Sequence, residues 1–127
     1  MFVIEEEFYT LDLVKANPDK IYLFGDNLAE RGYRGQACIR DLPNSLGIPT
    51  KRLPCRSNNC YFSDTVDEMD AVLNALTIMY RLHQKGETIV LPKDGLGTGL
   101  AELTERSPNI YSYLTGNLQQ YCPEYLR

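Results

Sequence analysis

The stretch Ile89–Leu103, IVLPKDGLGTGLAEL, carries the residue types best suited to chemistry. It places Gly95, Gly97 and Gly99 at alternating positions after an apolar, β-branched run. Glycine lets the backbone approach a ligand closely, and successive N–H groups in such a turn can converge on one phosphate. The Walker pattern G-x-x-x-x-G-K-[ST] is absent, and the dinucleotide fingerprint is incomplete because Leu100 stands where its third glycine would be. We expect a phosphate-holding loop of another type, with a plain tight turn as the alternative.

A second glycine-containing stretch, Tyr22–Ala37, also leaves a predicted strand and enters a predicted helix. Gly32 and Gly35 precede that helix, whose N-terminus could hold an anion. Arg31 and Arg34 could add bidentate contacts to a phosphate or carboxylate. A solvated loop is the alternative.

A third stretch, Gly47–Pro54, offers Thr50 and Lys51 as phosphate contacts, although Lys51 could equally be surface charge. Tyr33, in the second stretch, could stack on a base or be an exposed loop aromatic.

Composition fits one globular domain spanning residues 1–127, with 43% hydrophobic and 24% charged residues. The net charge of −4 disfavours a nucleic-acid-binding protein, which needs clustered Lys and Arg. No apolar run approaches the length of a membrane span, and the first residues do not resemble a signal peptide. We therefore expect a cytoplasmic protein with no membrane or nucleic-acid partner.

The cysteines and the single histidine do not form a metal-binding pattern. Cys55 and Cys60 make one C-x4-C pair with no second pair and no nearby histidine, so we expect neither a zinc site nor a cofactor. Without an export signal, reduced thiols are the default expectation. A catalytic Cys–His pair involving His83 stays open as an alternative.

Hydrophobic periodicity predicts an alternation of strands and helices. The predicted strands are Phe2–Ile4, Ile21–Phe24 (ended by Gly25-Asp26-Asn27), Ile48–Lys51, Cys60–Phe62 and Thr88–Leu91. The first predicted helix is short, capped by Thr10 and stopped at Asn17-Pro18-Asp19, and the second is Gln36–Leu42. The third is Asp64–Gln84, with a Thr65/Glu68 capping box and Gly86 beyond its end. The last is capped by Ser107-Pro108, and its predicted buried residues are Ile110, Tyr113, Leu114 and Leu118.

This alternation predicts an α/β fold with three layers, in which helices cover both faces of a mostly parallel or mixed central sheet. Ligands of such sheets bind beyond the carboxyl ends of the strands. The loops Gly25–Gly35 and Pro92–Glu102 both leave carboxyl ends, so we expect them to face each other across one cleft.

Four motifs together resemble a small macrodomain-like family found in bacteriophages and some bacteria. They are F-G-D-N-L-A from Phe24, R-G-Y-R-G-Q-A from Arg31, I-P-T-K from Ile48 and L-P-K-D-G-L-G-T-G-L-A from Leu91. Macrodomains bind ADP-ribose, so the resemblance implies a macrodomain-like fold and an ADP-ribose-like nucleotide ligand. It implies that Gly95–Gly99 wraps a diphosphate and the distal ribose, and that Asp26-Asn27 lies where macrodomain strands end in N-A-A-N.

The leading hypothesis is a module that binds ADP-ribose or a related phosphate-bearing nucleotide between the two glycine-rich loops. The predicted ligand-binding residues are Gly25, Asp26, Asn27, Arg34, Gly35, Gln36, Thr50, Lys51, Lys93, Asp94, Gly95, Leu96, Gly97, Thr98 and Gly99.

Three other functions stay open. The first is a hydrolase that removes ADP-ribose or phosphate from a target, with Asn27 positioning a water and Asp94 or Asp26 as general base. The second is a phage-encoded sponge that sequesters a nucleotide immune signal of the host without turnover, which an oligomer could assist by closing the pocket. The third is a structural protein whose glycines serve turns alone.

Overall fold

The computed structural model describes residues 1–127, which form four β-strands and four α-helices. In chain order these are β1 (Phe2–Glu5), α1 (Leu11–Lys15), β2 (Lys20–Asn27), β3 (Ser45–Lys51), α2 (Val66–Gln84), β4 (Thr88–Pro92), α3 (Leu103–Arg106) and α4 (Pro108–Tyr121). Two 3-10 turns, Gly35–Ile39 and Asn58–Cys60, lie in the connections. None of the helices combines the length and apolar character needed to span a membrane.

The four strands form one parallel sheet in the order β1-β4-β2-β3. The central pairings are in register at Tyr22 with Val90 and at Gly25 with Ile48. Because all strands run the same way, their carboxyl ends lie at one edge of the sheet. The predicted parallel sheet of an α/β fold is confirmed, and its order places the ends of β2 and β4 side by side.

Successive side chains of a strand point to opposite faces, so the sheet supports two cores. Leu23 packs with the buried residues of α2 and α4 on one face. Tyr22 and Phe24 pack on the other, with Val14 of α1 and Ile39 of the first 3-10 turn. Helical layers therefore cover both faces, as the sequence predicts.

Several predicted elements have other bounds in the structure, among them β3, which begins at Ser45 rather than at Ile48. β2 continues through Asn27, because Asp26 and Asn27 still pair with β3 across a register shift. The predicted helix Gln36–Leu42 is only a 3-10 turn over Gly35–Ile39, and Pro43 disfavours helical geometry at Leu42, the last predicted residue. The predicted strand Cys60–Phe62 reduces to one antiparallel bridge between Tyr61 and Lys51.

Local sequence signals predict both ends of α2, but they do not predict how the first turn of α4 is capped. The capping box of α2 is present, with Thr65 as N-cap, and Gly86 follows the helix at a φ of 94°. The first turn of α4 is capped differently: the Asp64 carboxylate accepts bonds from the N–H groups of Asn109 and Ile110.

Two predictions for α4 therefore need correction. The Ser107 hydroxyl does not cap the helix, because it accepts the Asp64 N–H at 3.0 Å instead. Tyr113 is 37% exposed and lies outside the buried stripe formed by Ile110, Leu114 and Leu118.

Candidate functional site

A cleft with a volume of about 940 Å³ lies at the carboxyl edge of the sheet. Its walls are the loop that follows β2 and the loop that follows β4, which face each other as predicted. Its lining residues are Gly25, Asp26, Asn27, Arg31–Ala37, Arg40, Thr50, Lys51, Pro54, Asp94, Gly95 and Gly97–Ala101. A smaller cavity of about 440 Å³ adjoins it and shares Asp26, Asn27 and Arg40.

The segment Asp94–Ala101, here called the glycine loop, exposes a run of free backbone donors. The six N–H groups from Leu96 to Ala101 donate to no acceptor of the protein. All but Leu96 among these residues line the cleft. A run of free backbone N–H groups in a turn can form an anion-binding concavity. The glycine loop is therefore the candidate site for an anionic group.

Glycine is required in this loop for two reasons. Gly95 and Gly97 have φ angles of 89° and 76°, which side-chain-bearing residues rarely adopt. A Cβ atom on Gly97 would also lie 2.8 Å from Leu103 Cδ2 and 3.1 Å from Thr50 Cβ. The Thr98 hydroxyl donates to the Asp94 carbonyl oxygen, which closes the turn from within.

Two residues of the predicted site do not reach the cleft. Leu96 is 2% exposed and belongs to the main core, where its side chain anchors the loop. Lys93 is exposed, with its Nζ 6.0 Å from the centre of the Phe8 ring, and does not line the cavity. Asp94, Gly95 and Gly97, which are next to them in sequence, do line it.

Gln36 connects the two walls. Its Oε1 accepts a hydrogen bond from the Gly25 N–H at 2.9 Å, and its Nε2 donates to the Gly95 carbonyl at 2.9 Å. Both ends of the amide are used, so Gln36 fixes the spacing of the walls at the base of the cleft.

Arg40 organises the loop after β2. Its Nη1 lies 2.6 Å from Asp26 Oδ1, its Nε donates to the Gly32 carbonyl, and its Nη2 donates to the Arg31 carbonyl. The side chains of Arg40 and Asp26 are only 11% and 8% exposed. Asp26 Oδ1 also accepts the N–H of Asn27, so this carboxylate oxygen is occupied by two protein donors. This geometry favours a positioning role for Asp26 over the predicted role of general base.

Asn27 also fixes this loop. Its Nδ2 donates to the Arg31 carbonyl at 2.7 Å, and its Oδ1 accepts the Arg31 N–H at 3.4 Å. The side chain is buried, and both ends of its amide contact backbone. The predicted role of holding a water or a ribose gains no support from these contacts.

Thr50 and Lys51 line the cleft but are engaged elsewhere. The Thr50 hydroxyl donates to the Asp26 carbonyl, and Lys51 Nζ donates to the Cys55 carbonyl at 2.6 Å. The Lys51 ammonium also lies 4.5 Å from the centre of the Tyr61 ring. Its partial burial lowers the pKa of Lys51 from the ordinary lysine value.

The free charges of the cleft are therefore those of Arg31, Arg34 and Asp94, none of which forms an ion pair with the protein. Tyr33 lies between the two arginines with an exposed ring, and its hydroxyl donates to Asp41 at 2.8 Å. That bond to a carboxylate raises the pKa of Tyr33.

The predicted residues Gly25, Gly35 and Gly99 also line the cleft. Eight lining residues lie outside the list of predicted ligand-binding residues: Arg31, Gly32, Tyr33, Ala37, Arg40, Pro54, Leu100 and Ala101. Leu100 and Ala101 could have been found by extending the glycine loop along the sequence. Arg40 has no local signal, because its partners lie in β2 and in the turn after it.

Neither a cluster of metal-ligating side chains nor a cysteine lines this cleft. No group of three or more His, Cys, Asp or Glu side chains is arranged to hold a metal ion. His83 packs against the rings of Phe2 and Tyr121, and no cysteine lines the cleft.

Cys55 and Cys60 are joined in a disulfide, so the expectation of reduced thiols is wrong for this pair. The turn between them brings their Cα atoms to 5.7 Å, which lies within the range that a disulfide spans. The bridge closes the turn from Cys55 to Cys60, which begins at the residue whose carbonyl accepts the Lys51 ammonium.

Replacing Cys55 with serine is expected to lower the free energy of unfolding by about 2 kcal/mol, because the crosslink restricts a short loop in the unfolded chain. Urea unfolding without reductant measures the loss. Cys38→Ser serves as the control, since Cys38 is a free cysteine of intermediate exposure. Adding a thiol reductant should lower the unfolding free energy of the native protein to that of Cys55→Ser. Equal unfolding free energies of the native protein and Cys55→Ser without reductant would contradict the prediction.

Comparison with known proteins gives one match. Residues 4–117 match the model of a family of unknown function, DUF7831. No curated protein and no solved structure matches the chain. Since the matched residues make up most of the sequence, this protein belongs to the DUF7831 family.

Proposed function

We propose that this protein binds a phosphate-bearing nucleotide of the ADP-ribose type in the cleft between its two glycine-rich loops. The observation that carries the proposal is the run of six unpaired N–H groups at Leu96–Ala101. A phosphate or diphosphate supplies several acceptor oxygens for such donors, and bonds to a charged acceptor are stronger than neutral ones.

The charges of the cleft support an anionic ligand. Four cationic side chains and two carboxylates line it, although the whole chain carries a net charge of −4. The Arg40–Asp26 pair is internally neutral, which leaves an excess of positive charge near the opening. Clefts lined by one sign of charge concentrate ligands of the opposite sign. The volume of about 940 Å³ suits a nucleotide better than a single phosphate ion.

Two of the predicted catalytic residues are bonded within the protein, which favours ligand binding over ligand turnover. Asp26 is paired with Arg40, and Asn27 is bonded to the Arg31 backbone. A module that holds its ligand unchanged, as a sponge would, needs neither residue free. The cytoplasmic location, the macrodomain relationship and the oligomeric state stay predictions.

A hydrolase is the second candidate, and the free carboxylate of Asp94 favours it. This side chain is exposed at the start of the glycine loop and forms no ion pair. In that position it could activate a water beside a bound phosphate or ribose.

Calorimetric titration with ADP-ribose, ADP, AMP and adenosine tests the proposal. The two diphosphates are expected to bind most tightly and adenosine not to bind, because the glycine loop recognises phosphate. If neither diphosphate produces heat or a thermal shift, the proposal is wrong.

Prolonged incubation with ADP-ribose, followed by mass spectrometry of the released ligand, separates the two candidates. Intact ligand supports binding alone. A hydrolysed product that disappears in Asp94→Asn supports the enzyme.

A further inference from the structure

Two guanidinium groups on the wall opposite the glycine loop have no partner in the protein. Arg31 and Arg34 line the cleft, form no ion pair and donate no side-chain hydrogen bond. They are the only cationic side chains of the cleft without a partner in the protein, because Arg40 is paired with Asp26 and Lys51 donates to the Cys55 carbonyl.

The backbone beneath these arginines is fixed by other side chains. Arg40 donates to the carbonyl oxygens of both Arg31 and Gly32, and Asn27 bonds the Arg31 backbone at both its N–H and its carbonyl. Between the two arginines, Tyr33 is held by Asp41. The loop is thus anchored at three points without using either free guanidinium, and such preorganisation lowers the entropic cost of binding a ligand there.

The two sets of free donors belong to different walls. The amide run follows β4, the arginines follow β2, and the Gln36 side chain joins the walls at the cleft base by bonding Gly25 and Gly95. A phosphate seated on the glycine loop leaves the arginine wall available for another group of the same ligand.

We propose that the ligand carries a second anionic group, a phosphate monoester, held by Arg31 and Arg34 while its diphosphate is held by the glycine loop. This inference rests on the proposed function and narrows its ligand class to nucleotides with two separated anionic centres. Arginine suits this role because its planar guanidinium presents paired donors to phosphate oxygens.

Titration with matched ligands tests the inference. ADP-ribose is compared with its monophosphates that carry the extra phosphate on either ribose, so that both orientations in the cleft are sampled. At least one monophosphate is expected to bind about tenfold more tightly than ADP-ribose, as a charge-assisted contact implies. In the Arg31→Met/Arg34→Met double variant, the ratio of the ADP-ribose Kd to the monophosphate Kd is expected to fall close to one.

Arg81→Met is the control, since Arg81 lies in the last turn of α2 and does not line the cleft; its ratio should equal that of the native protein. If ADP-ribose binds the native protein and neither monophosphate binds more tightly, the arginine subsite is wrong and the proposed function stands. If the native ratio persists in the double variant, the subsite is also wrong. If no nucleotide binds, both proposals fail together.

Discussion

Replacing Gly97 with alanine is expected to weaken nucleotide binding about a hundredfold, as the loss of about two charge-assisted amide bonds implies. The added Cβ would lie 2.8 Å and 2.9 Å from two Leu103 carbon atoms, at a φ of 76°. Leu103 is fully buried, so the loop backbone must move instead, and this movement displaces the N–H groups of the loop. The free energy of unfolding should fall by roughly 3 kcal/mol through backbone strain and overpacking. Calorimetry with ADP-ribose and urea unfolding measure the two effects.

Two other glycines provide controls for this variant. Gly99 lies in the same loop with open space around its Cβ position, so Gly99→Ala should change stability by less than about 0.5 kcal/mol. Gly116 lies in α4 outside the cleft, and Gly116→Ala should retain native affinity. Native affinity in Gly97→Ala, with the fold intact, would show that the glycine loop does not hold the ligand.

Replacing Arg40 with methionine is expected to cost about 3 kcal/mol of unfolding free energy, because removing one partner of a buried ion pair leaves an uncompensated charge. The Asp26 side chain, which is only 8% exposed, would lose its guanidinium partner. The carbonyl oxygens of Arg31 and Gly32 would lose the hydrogen bonds that Arg40 donates. The loop after β2 should then lose its fixed conformation, and nucleotide affinity should fall with it. Urea unfolding and calorimetric titration measure both effects.

A second variant separates stability from binding. Adding Asp26→Asn to Arg40→Met removes the unpaired carboxylate, so the double variant should be more stable than the single one. Its affinity should stay low, because nothing replaces the bonds from Arg40 to the Arg31 and Gly32 carbonyls. A double variant with native affinity would mean that Arg40 does not position the loop.

Much of the fold follows from local patterns. The helical period and capping box locate α2, the β-branched run at residues 88–91 locates β4, and alternation of the two predicts a parallel sheet. The same alternation places the two glycine-rich loops at one edge, where they share the cleft. These features depend on residues close together in the chain, so the sequence alone determines them.

Tertiary structure decided which polar groups of the cleft remain free. Asp26, Asn27 and Gln36 have the right chemistry for ligand contacts, yet each is bonded within the protein. Their partners include Arg40, 14 positions from Asp26, and Gly95, 59 positions from Gln36. Such pairings form only when distant segments pack together, and no local pattern records them.

The sequence by itself therefore determined the glycine loop, its position after β4 and the α/β class of the fold. The tertiary structure decided that Leu96 turns into the core, that Lys93 lies outside the cleft, and that the amides of residues 96–101 have no partner. The physical reason is that backbone conformation follows from neighbouring residues, whereas burial and hydrogen-bond satisfaction depend on everything that surrounds a residue in the folded chain.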